Sequence, residues 1–370
     1  MREQRQIVKR WHEGSASILV TLTRVQGSSY RQPGARLLVC NDGTYEGSIS
    51  AGCLEADLLR KAAWLARDGA TMERYSTLFD ETAEIPFGLG CGGVLDLLIE
   101  PAGTAECQAL LQAIEATLSG DEHVVATWLP TADRALSRAI FRADGEIIFA
   151  SDELASEALS QVRMKCLRGD DSKVAGVFIE RLVPPQRLFV FGAGDDAKPL
   201  VTMAGLLGWS VTVIDRRAQL ARKSRFPESG KVSSTPDATI QQINSRDAVV
   251  IMTHSYEQDK DFLTSLLPLR PKYLGLLGSR QRSSLLIAET AAKLELSVSE
   301  CCELICAPVG LDIGGEGPEA IALAILAEAQ ACCMGKGNES RKLSAERVQR
   351  YLATCDPQSY THTQCALDAI

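Results

Sequence analysis

Residues 187–197 read Arg187-Leu-Phe-Val-Phe-Gly192-Ala-Gly194-Asp-Asp-Ala197. A strand-forming run enters a Gly-x-Gly-x-x-Ala turn, and a helix-forming stretch follows. The first glycine permits the tight turn, the second lets a phosphate approach the backbone, and the small Ala197 lets the helix lie close to the strand. The next strand candidate, Val211 to Asp215, ends on an acid 215 − 194 = 21 residues after Gly194. A carboxylate at that spacing can accept from ribose hydroxyls. Strand, turn, helix and spaced acid together predict a parallel α/β unit of dinucleotide-binding type, with Gly192, Gly194 and Asp215 as candidate binding residues.

Working outward, Ala248 to Thr253 and Tyr273 to Gly278 are further apolar strand candidates, and Ile305 to Ala307 is a short fifth one. Helical or loop segments separate them, the rhythm of a doubly wound, Rossmann-like parallel sheet. A last helix starts near Pro318, with Glu319 beside it, both favourable in a first turn. Two details bear on binding. Asp195 and Asp196 put negative charge at the helix end where a pyrophosphate would sit, and Arg216 and Arg217 could instead meet an extra phosphate. The pattern equally suits a Rossmann-like scaffold that binds no dinucleotide. His254 follows a strand, where ligands of such folds gather, although a histidine there also caps helices. Gly278-Ser279-Arg280, with Arg282, sits at the end of a later strand and supplies candidate phosphate donors.

Pro184-Pro185 favours an extended linker and sets the expected boundary. The expected division is an N-terminal domain over 1–183, the Rossmann-like domain over 186–334, and a polar tail over 335–370 holding one loose helix. The first half mixes strand and helix signals: strands at Ile18 to Val25 and Gly34 to Cys40, a turn at Asn41-Asp42-Gly43, and an amphipathic helix over Leu54 to Asp68. Two cysteines stand out. Cys53 follows Gly52 and opens that helix, whose N-terminal partial charge favours a thiolate. Cys91 lies among Gly88, Gly90, Gly92 and Gly93, after a polar acidic loop and before the strand-like Val94 to Glu100. Such a loop can fold into a nest of N–H donors for an anion. Two activated thiols suit a soft metal, a sulfur-bearing cofactor or a sulfur atom in transit.

The 370 residues, 45% hydrophobic and 23% charged, can build two cores. A net charge of −8 supplies no basic stripe for phosphate neutralisation, so nucleic acid is not an expected partner. Neither a signal peptide nor a bilayer-spanning apolar stretch is evident, so no membrane role and a cytoplasmic location are expected. The 12 cysteines should then be mostly reduced; Cys40, Cys107 and Cys166 read as core, and Cys301, Cys302, Cys332 and Cys333 as buried in or beside helices. With four histidines and no C-x-x-C pair, no ordinary zinc motif can be assembled.

The ordered motifs resemble the XdhC/CoxI-type accessory proteins of xanthine dehydrogenase and related molybdenum hydroxylases. In the first half these are Gly27-Ser-Ser-Tyr-Arg-Gln-Pro-Gly-Ala, Gly47-Ser-Ile-Ser-Ala-Gly-Cys53-Leu-Glu and Phe87-Gly-Leu-Gly-Cys91-Gly-Gly. In the second they are Phe191-Gly-Ala-Gly, Thr253-His254, Leu276-Leu-Gly-Ser-Arg280 and Ala307-Pro-Val-Gly-Leu-Asp-Ile-Gly-Gly. The chain departs from the family pattern at Gly315-Glu316-Gly317. The resemblance implies a chaperone that binds molybdenum cofactor (molybdopterin), holds it while a cysteine desulfurase adds the sulfido ligand, and hands it to an apo-hydroxylase. It also implies a homodimer. Cys53 and Cys91 would be candidate molybdenum ligands, with Gly90, Gly92 and Gly93 as the phosphate nest. In the second half Gly192, Gly194, Asp215, Arg217, His254, Ser279 and Arg280 would contact the cofactor or a nucleotide. The competing readings are an NAD(P)-dependent oxidoreductase using His254 or a thiol, and a non-catalytic nucleotide sensor.

Overall fold

The structure, a computed structural model, describes residues 1–50, 52–76, 93–168, 174–336 and 345–354. The chain divides into two compact units, one of Glu3–Pro184 with Lys342–Ile370 and one of Pro185–Arg341 with Met1–Arg2.

In the N-terminal unit, α1 (Arg2–His12) leads into β1 (Ala16–Gly27), β2 (Arg36–Cys40), β3 (Tyr45–Gly47), α2 (Cys53–Leu65), β4 (Thr71–Ser76) and β5 (Gly93–Pro101). These strands form an antiparallel sheet ordered β3-β2-β1-β5-β4. β1 is central and covered on both faces, which is why its apolar run is nearly continuous. Val20 and Leu22 pack with Leu54, Leu58 and Ala62 of α2, while Leu19 turns the other way toward Ile7 of α1.

A second antiparallel sheet follows. α3 (Ala105–Ser119), β6 (His123–Trp128), β7 (Ser137–Arg142), β8 (Ile147–Ala150), α4 (Ser156–Arg168) and β9 (Val177–Leu182) give the order β8-β7-β6-β9. Leu110 and Ile114 of α3 share a core with Val125, Ile140, Leu19 and Leu38, so one apolar layer serves both sheets. Two buried ion pairs tie them further. Arg138 meets Glu100 at 3.0 Å with both side chains 1% exposed, and Arg36 pairs with Glu180.

The C-terminal unit is a five-stranded parallel sheet. Its elements are β10 (Arg187–Phe191), α5 (Ala197–Leu206), β11 (Ser210–Ile214), β12 (Lys231–Ser233), α6 (Pro236–Ile240), β13 (Ala248–Ile251), α7 (Tyr256–Leu266), β14 (Tyr273–Leu276), α8 (Arg280–Leu294), α9 (Val298–Leu304) and α10 (Pro318–Cys333). The strand order is β12-β11-β10-β13-β14, all parallel, with the order reversing at β10. Leu188 and Val190 face α5 and α10, whereas Phe189 and Phe191 face α7 and α8. Burial on both faces accounts for unbroken apolar strands, as parallel sheets require.

The expected strand over Ile305 to Ala307 is reduced to one parallel bridge between Cys306 and Gly275, because Pro308 has no N–H with which to extend the ladder. The edge strand is instead β12, whose Lys231-Val-Ser carries too little apolar signal to be read from sequence. Cys40, Cys107 and Cys301 are buried, but Cys302 is exposed on α9. Burial pushes the Cys107 thiol well above its ordinary range, the state of an inert core cysteine. The side chain of Cys166 lies outside what the structure describes. A short helix, α11 (Ala345–Thr354), follows α10 in sequence. Among the described residues no helix is long and apolar enough to cross a membrane.

Candidate functional site

The glycine turn forms where the sequence places it. Gly192 adopts φ 128°, and a Cβ there would stand 2.3 Å from the Met252 carbonyl oxygen, so only glycine fits between β10 and β13. The carboxylates around it are engaged by the chain itself. Asp215, 3% exposed, accepts from the Ala193 N–H at 2.8 Å and from the Arg217 backbone N–H at 2.8 Å. The Arg217 guanidinium then closes on it, with Nε and a terminal nitrogen at 2.9 and 2.8 Å. Burial acts to raise the Asp215 carboxyl, but these hydrogen bonds outweigh it and hold the group below its ordinary value. Arg217, expected to be available for an extra phosphate, is therefore spent on Asp215.

Asp196 is committed in a similar way. Its Oδ1 lies 2.3 Å from the point a Gly194 Cβ would take, and its Oδ2 is 2.8 Å from His254 Nε2. A carboxylate thus lies across the second glycine at the N-terminus of α5, the position that favours a ligand anion. Asp195 pairs with Lys198 and Arg225. His254 holds φ 63°, a left-handed conformation uncommon outside glycine but adopted more often by asparagine, aspartate and histidine, and its exposed ring reaches back to Asp196. Ser255, not His254, caps α7.

A cavity of about 610 Å³ opens at the carboxyl ends of β10, β13 and β14. Asp195 and Asp196 border it ahead of α5, His254 beyond β13, Gly278 and Arg282 at the β14–α8 turn, and Pro318 at the start of α10. Three helix N-termini therefore meet at one crevice beside the point where strand order reverses, the usual ligand position in open α/β sheets. Of the predicted donors, Ser279 caps α8, its oxygen accepting from the Arg282 N–H at 3.3 Å, and both Ser279 and Arg280 are exposed outside the cavity lining. Arg282 reaches the cavity instead. Its guanidinium bonds Asp259, which is fully buried and also accepts from the Thr253 N–H and hydroxyl.

In the N-terminal unit the backbone places Cys53 as the first residue of α2, directly after Gly52 at φ 119°. The preceding loop is drawn together by Glu55, 3% exposed. Its carboxylate accepts from the backbone N–H groups of Ile49, Ser50 and Gly52 at 2.9, 2.7 and 3.0 Å, and from the Ser50 hydroxyl. Burial acts to raise the Glu55 carboxyl, yet the bonds from Ser50 and its neighbours prevail and lower it. Gly93 differs from expectation. It is the first residue of β5, paired with Gly27, and a Cβ would lie 2.1 Å from the Ser28 carbonyl oxygen. Close strand approach thus accounts for its glycine identity. Cys91, Gly90 and Gly92, and the side chain of Cys53, lie outside what the structure describes. Among the described residues no three His, Cys, Asp or Glu side chains gather as a metal site.

Sequence reading missed the parts that Glu55 and Asp259 play. Glu55 stands three residues after Gly52, the position from which a carboxylate reaches back to a helix start. Asp259 lies on the stripe Asp259, Phe262, Leu263, Leu266 that α7 buries, and a charge on a buried face signals a fixed partner.

Comparison with known proteins agrees with this arrangement. Residues 10–76 match the model of the XdhC and CoxI family, and residues 188–329 match the XdhC Rossmann domain. A Bacillus subtilis (strain 168) protein, named as a probable subunit of xanthine dehydrogenase, is 29% identical over 316 residues, covering 84% of this chain and 92% of its own length. The molybdenum cofactor insertion chaperone PaoD of Escherichia coli (strain K12) is 26% identical over 319 residues, 85% of this chain and 83% of its own. A crystal structure of a xanthine dehydrogenase from Bacillus halodurans superimposes with a TM-score of 0.77 at 26% identity, over 94% of this chain and 99% of that one. With both halves matched in order and the Rossmann-type sheet in place, the chain belongs to the XdhC and CoxI family.

Proposed function

We propose that this protein is a molybdenum cofactor chaperone: it binds the cofactor, shields it during sulfuration by a cysteine desulfurase, and delivers it to an apo molybdenum hydroxylase of the xanthine dehydrogenase type. The observation that carries this reading is the placement of Cys53 at the N-terminus of α2, on a loop held by the buried Glu55. The helix end favours the thiolate, and the Glu55 bonds fix the backbone that presents it. The cofactor fits this donor chemistry. Thiolates are soft ligands, and a metal already held by dithiolene sulfur needs few ligands from the protein. When bound, the cofactor would supply the metal centre that the client enzyme uses. The chain's own part is to hold Cys53 and Cys91 toward it and keep the thiols from other reactions.

The likeness to the chaperone PaoD and to a protein named for xanthine dehydrogenase supports the same reading. A dinucleotide oxidoreductase has less support, because Asp215 and Asp196 bond Arg217 and His254. A homodimer and a cytoplasmic location accompany the proposal.

The test is direct. The full chain and its Cys53→Ala and Cys91→Ala variants are incubated with isolated molybdenum cofactor, and retained molybdenum is quantified after gel filtration. Retention should fall in both variants, and equal retention by all three removes the thiols from the mechanism.

A further inference from the structure

We propose that the β14–α8 turn of the C-terminal unit is an oxyanion site for a phosphate monoester, formed by Gly278, Arg282 and Ser283 and separate from the glycine turn at Gly192 and Gly194. The carrying observation is a juxtaposition of two orphaned polar atoms. Ser283 Oγ and Arg282 Nε are buried and have no hydrogen-bond partner among the described residues, and Ser283 is only 2% exposed. Both flank Gly278: a Cβ on it would lie 3.3 Å from Arg282 Cδ, 3.4 Å from Ser283 Oγ and 3.7 Å from Arg282 Nε. Gly278 borders the cavity, and with no side chain of its own it leaves the Cα face beside these two atoms bare.

Buried donors without acceptors are costly, and native proteins supply them with partners. An acceptor oxygen resting against the bare Cα face of Gly278 meets both. The surroundings select an anion over a neutral acceptor. Asp259 holds a terminal nitrogen of Arg282, which aligns the guanidinium and leaves its Nε edge unbonded. The N-termini of the 15-residue α8 and the 16-residue α10 add positive potential at the same cavity. Of the nearby acids, Asp195 pairs with Lys198 and Arg225, and Asp196 is hydrogen-bonded to His254.

The rest of the cavity indicates what the phosphate carries. Leu277, Pro318 and Ile321 give it apolar walls, and about 610 Å³ accommodates a flat heterocycle beside the phosphate. A mononucleotide and a pterin phosphate share this chemistry. The site does not depend on what Cys53 does.

The experiment uses the full-length protein and titration calorimetry with inorganic phosphate, with guanosine 5′-monophosphate and with the isolated molybdenum cofactor. Wild type should bind phosphate and the mononucleotide saturably, the mononucleotide more tightly. Ser283→Ala should weaken both by about tenfold, the usual effect of losing a hydrogen bond to a charged group. Its thermal midpoint should hold or rise, since the variant removes a buried hydroxyl that has no partner. Gly278→Ala, whose methyl covers that face and stands over both donors, should abolish binding. Displacement of the mononucleotide by the cofactor would assign the pterin phosphate as occupant, and failure to displace it would assign a nucleotide. No saturable binding by wild type, or unchanged affinity in Ser283→Ala, would overturn the proposal and leave ordered water as the partner of these atoms. Cys53→Ala should bind phosphate as wild type does, so the thiol reading and this one can fail separately.

Discussion

Arg217 closes on Asp215 through two parallel hydrogen bonds, Nε to Oδ1 at 2.9 Å and a terminal nitrogen to Oδ2 at 2.8 Å. The acid that marks a ribose site in the sequence is therefore satisfied from two residues away in its own chain. A ribose would have to displace a charge-assisted pair from a buried carboxylate. Wild type should bind NAD weakly, and Arg217→Ala should raise the affinity several-fold by freeing one face of Asp215. Fluorescence titration with NADH checks this, and equal affinities would show that the pair does not block the site.

Acid should reveal the two engaged carboxylates. Asp215 and Glu55 both sit below their ordinary values in the folded state. A lowered folded value means the unfolded chain binds protons first, so stability is fully present above the unfolded value of about 4 and is lost as pH falls through the folded values. Urea midpoints measured from pH 6 down to pH 3 should decline in wild type. Asp215→Asn and Glu55→Gln should start lower at pH 6 and decline less steeply.

Glu55 should also govern the thiol that lies two residues before it. Glu55→Ala leaves three backbone N–H groups without their acceptor, a loss of about 1–3 kcal/mol for each donor that stays buried. The loop before Cys53 should loosen. The rate of Cys53 alkylation at neutral pH, read by mass spectrometry, should rise as the backbone that presents the thiol opens. An unchanged rate would mean that Glu55 does not hold that backbone.

Arg138 and Glu100 form a pair with both side chains 1% exposed, and the same guanidinium donates to the Glu106 carbonyl at 2.7 Å. Arg138→Met should cost about 3–5 kcal/mol because Glu100 is left charged and buried. The double change Arg138→Met with Glu100→Leu should recover most of that loss. Chemical denaturation of the three proteins provides the comparison, and an equally unstable double variant would point to packing instead of charge.

Gly192→Ala should be among the most damaging single changes in the C-terminal unit. At φ 128° with the Met252 carbonyl oxygen 2.3 Å from a Cβ position, the methyl must separate β10 from β13. A loss of at least about 3 kcal/mol is expected from strain and lost pairing together. Hydrogen exchange should show the loss spread along β10 and β13 while the N-terminal unit keeps its protection.

The legible parts of this molecule are those written in local chemistry. β10, β11, β13 and β14 were readable because a strand buried on both faces must be apolar throughout, and α2 because its buried stripe repeats at helical spacing. β12 was not, since three residues at a sheet edge need little apolar content. Ser279 and Arg280 were read as ligand donors because the sequence shows donors without showing which of them the fold sets in the cavity lining.

By itself, then, the sequence determined the parallel sheet, the turn at Gly192 and Gly194, and the start of α2 at Cys53, because propensity, periodicity and glycine sterics act over a few neighbouring residues. Only the tertiary structure decided which polar groups are free. Asp196 reaches His254 from 58 residues away, Arg282 reaches Asp259 from 23, and Ser283 is left without a partner beside Gly278. Hydrogen-bond satisfaction depends on which groups the fold brings within about 3 Å of each other, and sequence spacing does not set that distance.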